Sequence, residues 1–140
     1  MGVLQPDITD VLIVGAGPAG LSCAAVLSRL LWKTVIFDSG VYRYRKSKNY
    51  HMVPAYDHQS LLSYIGDARS DLLDRYDSNT FVNATAENIQ KVADGENEGL
   101  FKITDSQDRS WLGRKVVLAF GNVEKFPAIT GYEECWIKGM

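Results

Sequence analysis

The chain has 140 residues, a net charge of −2 and 46% hydrophobic residues, which predicts one globular domain with a buried core. This balance gives no reason to expect a nucleic-acid or membrane partner, and no apolar run approaches the roughly 20 residues that cross a bilayer. No secretory signal precedes Asp10, and Cys23 and Cys135 form no CxxC or zinc-binding pattern. A cytoplasmic location is therefore expected.

The first part of the chain predicts a βαβ unit over residues 10–40. Residues 10–14 are apolar and β-branched, which is typical of a buried parallel strand. Residues 18–31 place their leucines and alanines at helical spacing, and residues 34–37 predict a second strand. A strand, a helix and a strand within about 30 residues form a unit whose handedness is nearly fixed.

A loop and a helix are predicted over residues 41–78. Residues 41–56 show no clear periodicity and are therefore expected to form a loop. Asp57 is the predicted N-cap of a helix that runs to about Tyr76, because apolar residues recur along it at helical spacing.

A β-meander with a return strand is predicted over residues 80–121. Its β segments are residues 81–92, 100–104 and 110–120, separated by polar turns. Within the last segment, residues 115–120 resemble another buried parallel strand because four apolar residues follow one another.

Together these elements predict an α/β fold, a single Rossmann-like domain with a parallel sheet and a three-stranded β-meander. Residues 122–140 are expected to form an irregular C-terminal tail.

A glycine motif joins the first strand to the first helix. The sequence GAGPAG fits G-x-G-x-x-G, and its context between a strand and a helix predicts a dinucleotide site. Gly15 allows the tight turn, Gly17 lets a pyrophosphate approach the backbone, and Gly20 permits close packing of helix on sheet. The predicted binding residues of the motif are Gly15, Ala16, Gly17, Pro18, Ala19 and Gly20.

An acidic residue follows the second strand. Asp38 lies 18 residues beyond Gly20, where a carboxylate can accept hydrogen bonds from ribose hydroxyls, and Ser39 is included in the same site. A carboxylate there disfavours a 2′-phosphate, so FAD or NAD is expected rather than NADP.

These motifs resemble those of a known family. Residues 15–20 (GAGPAG), 37–40 (FDSG) and 51–58 (HMVPAYDH) resemble fungal thioredoxin-reductase-like flavoproteins. That family includes the dithiol oxidases that close disulfides in epidithiodioxopiperazine toxins such as gliotoxin. The resemblance continues through residues 113–119 and 131–136, so it covers nearly the entire chain.

The resemblance implies FAD as cofactor and a small metabolite, with dithiols included, as substrate in fungal secondary metabolism. It places Gly121 at the end of a strand against the FAD and the backbone around Ala86 beside the adenine. It also implies that the loop ending near His51 runs toward the flavin.

The sequence departs from the family in several places. The Cys-x-x-Cys dithiol and the NADPH-binding domain are not among the 140 residues, so the domain is expected to be incomplete relative to the family. The family's usual Ala-Thr-Gly has Phe120 at its centre, Met52 stands where Asn is common, and Ala55 stands where Gly is common.

Two interpretations stay open. The chain is an FAD-dependent oxidoreductase, or it is a catalytically dead truncated paralogue or accessory FAD-binding subunit. In either interpretation, the expected protein partner is a second copy of the chain or a full-length relative. No catalytic residue and no metal ligand is assigned.

Overall fold

The computed structural model describes residues 7–43, 45, 47 and 49–136. The strands are β1 (Ile8–Val14), β2 (Thr34–Phe37), β3 (Asn79–Val82), β4 (Ala86–Lys91), β5 (Phe101–Asp105) and β6 (Ser110–Leu118). The helices are α1 (Pro18–Arg29), α2 (Leu61–Arg75) and the one-turn α3 (Tyr132–Cys135). None of these helices is both long and apolar enough to cross a membrane.

The strands form one six-stranded sheet in the order β3-β2-β1-β6-β5-β4. The first four strands of this order are parallel, while β4, β5 and β6 pair in antiparallel fashion as a meander. Strand β6 belongs to both halves, because it pairs with β5 through Ser110–Gly113 and with β1 from Leu112 to Leu118. The predicted parallel sheet, βαβ unit and meander are therefore all present.

The core lies on both faces of β1. Val11 and Ile13 pack with helices α1 and α2, while Leu12 and Val14 face the opposite side. On that side Phe37 meets Trp111 of β6 edge to face, with ring centroids 5.9 Å apart. Because successive residues of a strand point to opposite faces, a stretch that is covered on both faces must be apolar throughout, as residues 11–14 of β1 are.

Three polar side chains join α1 to the parallel strands inside the core. Ser28 donates a hydrogen bond to the Ala24 carbonyl at 2.7 Å, and the amide of Asn79 donates to Ser28 at 2.8 Å. Thr34 donates to the Asn79 side-chain oxygen at 2.7 Å. Each of these three buried side chains therefore has a partner, which offsets the cost of burying it.

Residues 81–92 were predicted to form one strand, and this is wrong. They belong to β3 and β4, which lie at opposite edges of the sheet and are separated by residues 83–85. These three residues form the whole connection between β3 and β4, and none of them is a glycine or a proline that would mark a turn. Local sequence therefore gave no sign of the break.

The predicted helix start at Asp57 is also wrong. Helix α2 begins at Leu61, and Ser60 is its N-cap, with its hydroxyl accepting the Leu62 N–H at 3.2 Å. The Asp57 carboxylate instead accepts the Met52 N–H at 3.1 Å. Both residue types are good caps, and the closure of the preceding loop decides between them.

Two further corrections concern the C-terminal part. Residues 115–118 pair in parallel with β1 as predicted, but they are the end of the continuous strand β6 and are not buried, since the Leu118 side chain is 60% exposed. Helix α1 packs on β1 and β2, and at this end of β6 Val117 and, directly after the strand, Ala119 are partly buried against the same core. The tail predicted to be irregular contains α3, and residues 137–140 lie outside the described part of the chain.

Candidate functional site

The carboxyl ends of three parallel strands meet at one edge of the sheet. The Gly15 N–H donates to the Phe37 carbonyl at 3.0 Å, and the Ala119 N–H donates to the Val14 carbonyl at 2.8 Å. From β1 the chain proceeds through α1 to β2 on one side, while β6 lies on the other side. In open α/β sheets such a reversal of strand order creates the crevice in which ligands bind.

The glycine motif forms the turn between β1 and α1. Gly15 has a φ of +109°, and a Cβ there would lie 2.4 Å from the Ala119 carbonyl oxygen. A Cβ on Gly20 would lie 1.9 Å from the Gly15 carbonyl oxygen. Both glycines are therefore required by the close packing of this turn.

Gly17 differs from the other two glycines of the motif, Gly15 and Gly20. Among the described residues, no atom comes within 4 Å of a Cβ built on Gly17, and its φ of −75° suits any residue. The fold alone does not require glycine at this position. Its bare backbone instead leaves room for a ligand to approach the start of α1, as a bound pyrophosphate requires.

The N-terminus of α1 faces the same space. Gly17 is the N-cap and Pro18 the first helical residue, and the Leu21 N–H makes a helical bond to Gly17 at 3.0 Å. The N–H groups of Ala19 and Gly20 precede that bond and have no partner within the helix. The first turn has no acidic side chain, so the positive end of the helix dipole can bind an anion.

Asp38 ends β2 beside this turn and is only 8% exposed. Its Oδ1 accepts the Gly40 N–H at 2.9 Å and the Tyr42 hydroxyl at 3.0 Å. Its Oδ2 lies 2.9 Å from the same hydroxyl and accepts a hydrogen bond from Arg69 at 3.4 Å. The carboxylate is thus held in place by groups from the loop after β2 and from α2.

Tyr42 is a proton donor throughout the physiological pH range. Burial, together with the hydrogen bond to Asp38 and the negative charge of that carboxylate, raises the pKa of Tyr42 to about 12, against the lowering effect of Arg69. A hydroxyl with this pKa stays protonated and keeps donating to Asp38.

A cleft of about 330 Å³, termed the polar cleft, opens on one side of Asp38. Its lining consists of Asp38, Ser39, Gly40, Asn83, Ala84, Thr85 and Ser106. The predicted residue Ala86 follows directly as the first residue of β4 and is half-buried. Arg69 donates to the Asn83 side-chain oxygen at 3.0 Å, which links this lining to α2.

A larger cleft of about 640 Å³, termed the aromatic cleft, lies on the other side. It is bounded by the loop after β2 and by residues after β6, and its lining includes Tyr42, Arg43, Phe120, Glu124, Phe126 and Trp136. The Arg43 guanidinium donates twice to Glu124, at 2.9 and 3.0 Å. Gly121, with a φ of +72°, lies between the lining residues Phe120 and Asn122.

The predicted site residues are not all brought together. The glycine motif, Asp38 and Ser39 share one edge of the sheet, and Gly121 lies at the end of β6 on that edge. His51 is exposed and faces Asp57 and His58; within the described residues it lines neither cleft. Its predicted contact with a cofactor stays a prediction.

Sequence reasoning missed Tyr42 and Arg69. Tyr42 lies in an aperiodic loop and Arg69 on a helix 31 residues from Asp38, so only the folded chain brings them to the carboxylate. The sequence also did not predict that Asn83 and Thr85 line the polar cleft, because it did not predict the break between β3 and β4 in which they lie.

Comparisons with known proteins agree with the motif. The pyridine nucleotide-disulphide oxidoreductase family profile matches residues 9–140. The chain is 37% identical over 132 residues to thioredoxin reductase sirT of Leptosphaeria maculans, covering 94% of this chain and 39% of the relative. It is 38% identical over 138 residues to thioredoxin reductase aclD of Aspergillus oryzae, covering 98% and 42%.

Solved structures of oxidoreductases have the same fold as this chain. The crystal structure of an oxidoreductase from Agrobacterium tumefaciens matches with a TM-score of 0.82 and 26% identity, covering 91% of this chain and 41% of that one. The chain thus spans about two fifths of the length of the relatives it matches. The predicted Rossmann-like fold and the resemblance to fungal thioredoxin-reductase-like proteins are confirmed, and FAD is the cofactor of this family.

Proposed function

This chain belongs to the pyridine nucleotide-disulphide oxidoreductase family, and we propose that it is the FAD-binding part of a thioredoxin-reductase-like oxidoreductase acting on a small metabolite. A dithiol metabolite of fungal secondary metabolism is the favoured substrate class, because the chain resembles fungal thioredoxin reductases over nearly its full length. The observation that carries the proposal is the open backbone at Gly17 beside the buried carboxylate of Asp38.

The start of α1 holds the pyrophosphate in this proposal. The Ala19 and Gly20 N–H groups donate to phosphate oxygens, and the bare backbone at Gly17 allows the phosphates to come close. Bound FAD supplies the redox chemistry, while the protein binds it and orients it.

Asp38 selects the ribose in this proposal. A carboxylate has roughly four acceptor positions, and Gly40, Tyr42 and Arg69 use three of those of Asp38, because the Tyr42 hydroxyl donates only one proton. A ribose hydroxyl that donates to Asp38 therefore takes the remaining position. Adenine then enters the polar cleft, whose backbone at Ala84 and Thr85 leads into Ala86.

The aromatic cleft receives the flavin end of the cofactor in this proposal. Gly121 lies three residues after the end of β6, and as a glycine it has no Cβ that would meet a flat ring. Phe120 is 67% exposed at this cleft, so its ring can lie along the ligand rather than fill the core.

The two cysteines favour a cofactor-binding role over complete catalysis. Cys23 is half-buried and its pKa is raised by burial, so it is a weak nucleophile, and Cys135 is exposed at the end of α3. They lie too far apart in sequence to form a Cys-x-x-Cys dithiol. In the proposed function the dithiol comes from a segment or chain outside these 140 residues. The second candidate function is an accessory FAD-binding subunit, and it is supported by the same lack of a Cys-x-x-Cys pair among the 140 residues.

Both cysteines are free thiols, which supports action in a reducing compartment, the cytoplasm. Leu118, Phe120 and Val123 are more than half exposed near the aromatic cleft. These apolar side chains support association with a second copy or with a longer relative.

The sharpest test uses two glycines that are equally open in the structure. Gly17→Val adds a side chain where the proposal puts the pyrophosphate, whereas Gly66→Ala changes an exposed position of α2 that also has no described neighbour within 4 Å. Titration of flavin fluorescence should show FAD binding weakened at least about tenfold by Gly17→Val, or about 1.4 kcal/mol, and unchanged by Gly66→Ala.

Unfolding in urea controls for damage to the fold. Gly17→Val should lower the free energy of unfolding without FAD by no more than about 1 kcal/mol, because a Cβ at Gly17 meets no described atom within 4 Å and valine is a poorer N-cap than glycine. FAD binding of wild-type strength in the folded Gly17→Val chain would refute the proposed site.

A further inference from the structure

A loop of residues 50–59 connects the aromatic cleft to α2, and it is closed at its base. The Tyr50 N–H donates to the Gln59 carbonyl at 2.7 Å, and the His58 N–H donates to the Tyr50 carbonyl at 2.8 Å. This pairing brings His51, at the start of the loop, beside Asp57 and His58 at its end.

Three potential metal ligands converge in this loop. His51 Nδ1 lies 3.7 Å from Asp57 Oδ1, and His58 Nε2 lies 3.6 Å from Asp57 Oδ2. The three ligating atoms all lie within 4.8 Å of one another, and the two imidazole rings meet edge to face at 4.8 Å. The Met52 N–H donates to Asp57 Oδ1 at 3.1 Å and so orients the carboxylate.

The distances differ from those of a hydrogen-bonded His–Asp–His cluster. A hydrogen bond from an imidazole N–H to a carboxylate oxygen spans about 2.7–3.2 Å, so neither ring is hydrogen-bonded to Asp57 at 3.6 and 3.7 Å. The two imidazole nitrogens and the carboxylate therefore face one another without hydrogen bonds between them. A positively charged ion placed between these three groups would bind to all of them.

Zinc suits this set of donors. Zinc binds imidazole nitrogen at about 2.0–2.1 Å and carboxylate oxygen at about 2.0–2.2 Å, so two ligand atoms of one tetrahedral ion lie about 3.4 Å apart. Closing the cluster needs shifts of a few tenths of an ångström for the two histidine–aspartate pairs, and of up to about 1.4 Å for the most distant pair of ligand atoms. The side chains of His51, Asp57 and His58 are 56%, 54% and 75% exposed, so they can rotate at little cost.

We propose that His51, Asp57 and His58 form a binding site for a divalent transition metal of the zinc class, with water in the remaining coordination position. The ion joins the two ends of the loop and fixes its conformation before α2. Two imidazoles and one carboxylate are ligands that zinc, nickel and copper accept, whereas magnesium and calcium prefer oxygen alone. The site is separate from both clefts and does not rest on the proposed function.

Zinc binding to the full 140-residue chain, free of any affinity tag, tests the proposal by calorimetry. The wild type should bind one Zn²⁺, and His51→Ala or His58→Ala should weaken binding by more than the roughly 10–100-fold that loss of an outer-shell partner costs. Asp94→Asn, at an exposed turn elsewhere, should leave the affinity unchanged. Circular dichroism confirms that each variant is folded.

The exposed thiol of Cys135 provides a competing explanation that the design must separate. Cys135→Ser should bind Zn²⁺ like the wild type. Loss of binding in Cys135→Ser, or wild-type affinity in both histidine variants, would overturn the proposal, as would a wild type that binds no Zn²⁺.

Nuclear magnetic resonance gives a second measurement on the wild type. The sequence contains two histidines, so its imidazole resonances belong to His51 and His58. Both should shift together and reach completion at one equivalent of Zn²⁺. A shift of one imidazole alone, or of neither, would also overturn the proposal.

Discussion

The turn after β1 and the loop before α2 both reverse the chain sharply, yet they use different residues to do so. In the turn, Gly15 carries the positive φ of +109°, and every close approach is made by backbone that lacks a Cβ. In the loop, the positive φ values of 62°, 67° and 61° fall on Met52, Ala55 and His58. A left-handed backbone costs a residue with a Cβ about 1–2 kcal/mol, so the loop retains strain that the turn avoids.

The loop also differs from the buried meander in how its carboxylate is held. Asp105, in the meander, is completely buried and both of its oxygens accept hydrogen bonds. Asp57, in the loop, is exposed and faces two imidazoles at distances too long for hydrogen bonds. The buried regions are therefore fixed by the fold itself, whereas the loop keeps polar groups that a ligand can still engage.

The largest expected effect comes from adding one methyl group to the turn. Gly20→Ala places a Cβ 1.9 Å from the Gly15 carbonyl oxygen, so backbone must move, and we expect a loss of at least about 3 kcal/mol in the free energy of unfolding. Urea unfolding measures it. Gly66→Ala, in open space on α2, should instead add up to about 1 kcal/mol, and equal stabilities of the two variants would contradict the packing described here.

A smaller effect is expected at Asp105. Burial alone would raise the pKa of this carboxyl, but hydrogen bonds from Trp111, Gln107 and Arg109 outweigh it and lower the pKa from 3.8 to about 2. The carboxylate therefore stabilises the fold fully above about pH 5, and this contribution, about 2–3 kcal/mol, is lost as the pH falls toward 2.

Unfolding of Asp105→Asn between pH 7 and pH 2 checks this expectation. The variant should be less stable than the wild type at pH 7, and the difference should shrink as the pH falls. Asp108→Asn, an exposed change in the same turn, should follow the wild type at every pH. A constant difference between Asp105→Asn and the wild type would show that its charge is not what stabilises the meander.

The smallest effect is expected in the loop. Ala55→Gly relieves a φ of +67° but adds freedom to the unfolded chain, so we expect a net gain of about 0.5 kcal/mol. Ala93→Gly, at an exposed position without a positive φ, should lose a few tenths of a kcal/mol up to about 1 kcal/mol. If both substitutions destabilise the chain equally, the loop is not strained at Ala55.

The same contrast explains how much the sequence could predict. Strands β1 and β2 were located closely because burial on both faces requires continuous apolar residues, and the glycine motif is dictated by backbone packing. The start of α2 was misplaced because Asp57 and Ser60 are both good caps, and only the closed loop shows that Asp57 has another partner.

The candidate site likewise contains features that the sequence predicts and contacts that it does not predict. Asp38 was predictable because it directly follows a strand that the sequence identifies. Its contacts with Tyr42 and Arg69, and the approach of His51 to Asp57 and His58, depend on how loops and helices meet in space. No spacing in the sequence encodes those contacts, because the partners come from elements with unrelated periodicities.

The amount of FAD that the purified wild-type chain retains tests the central claim most directly. The chain is saturated with FAD, separated from free cofactor by gel filtration, and examined by visible absorption, and the flavin released on denaturation is then quantified. We expect a flavin spectrum and close to one FAD for each chain. A folded, colourless chain that retains no FAD would contradict it.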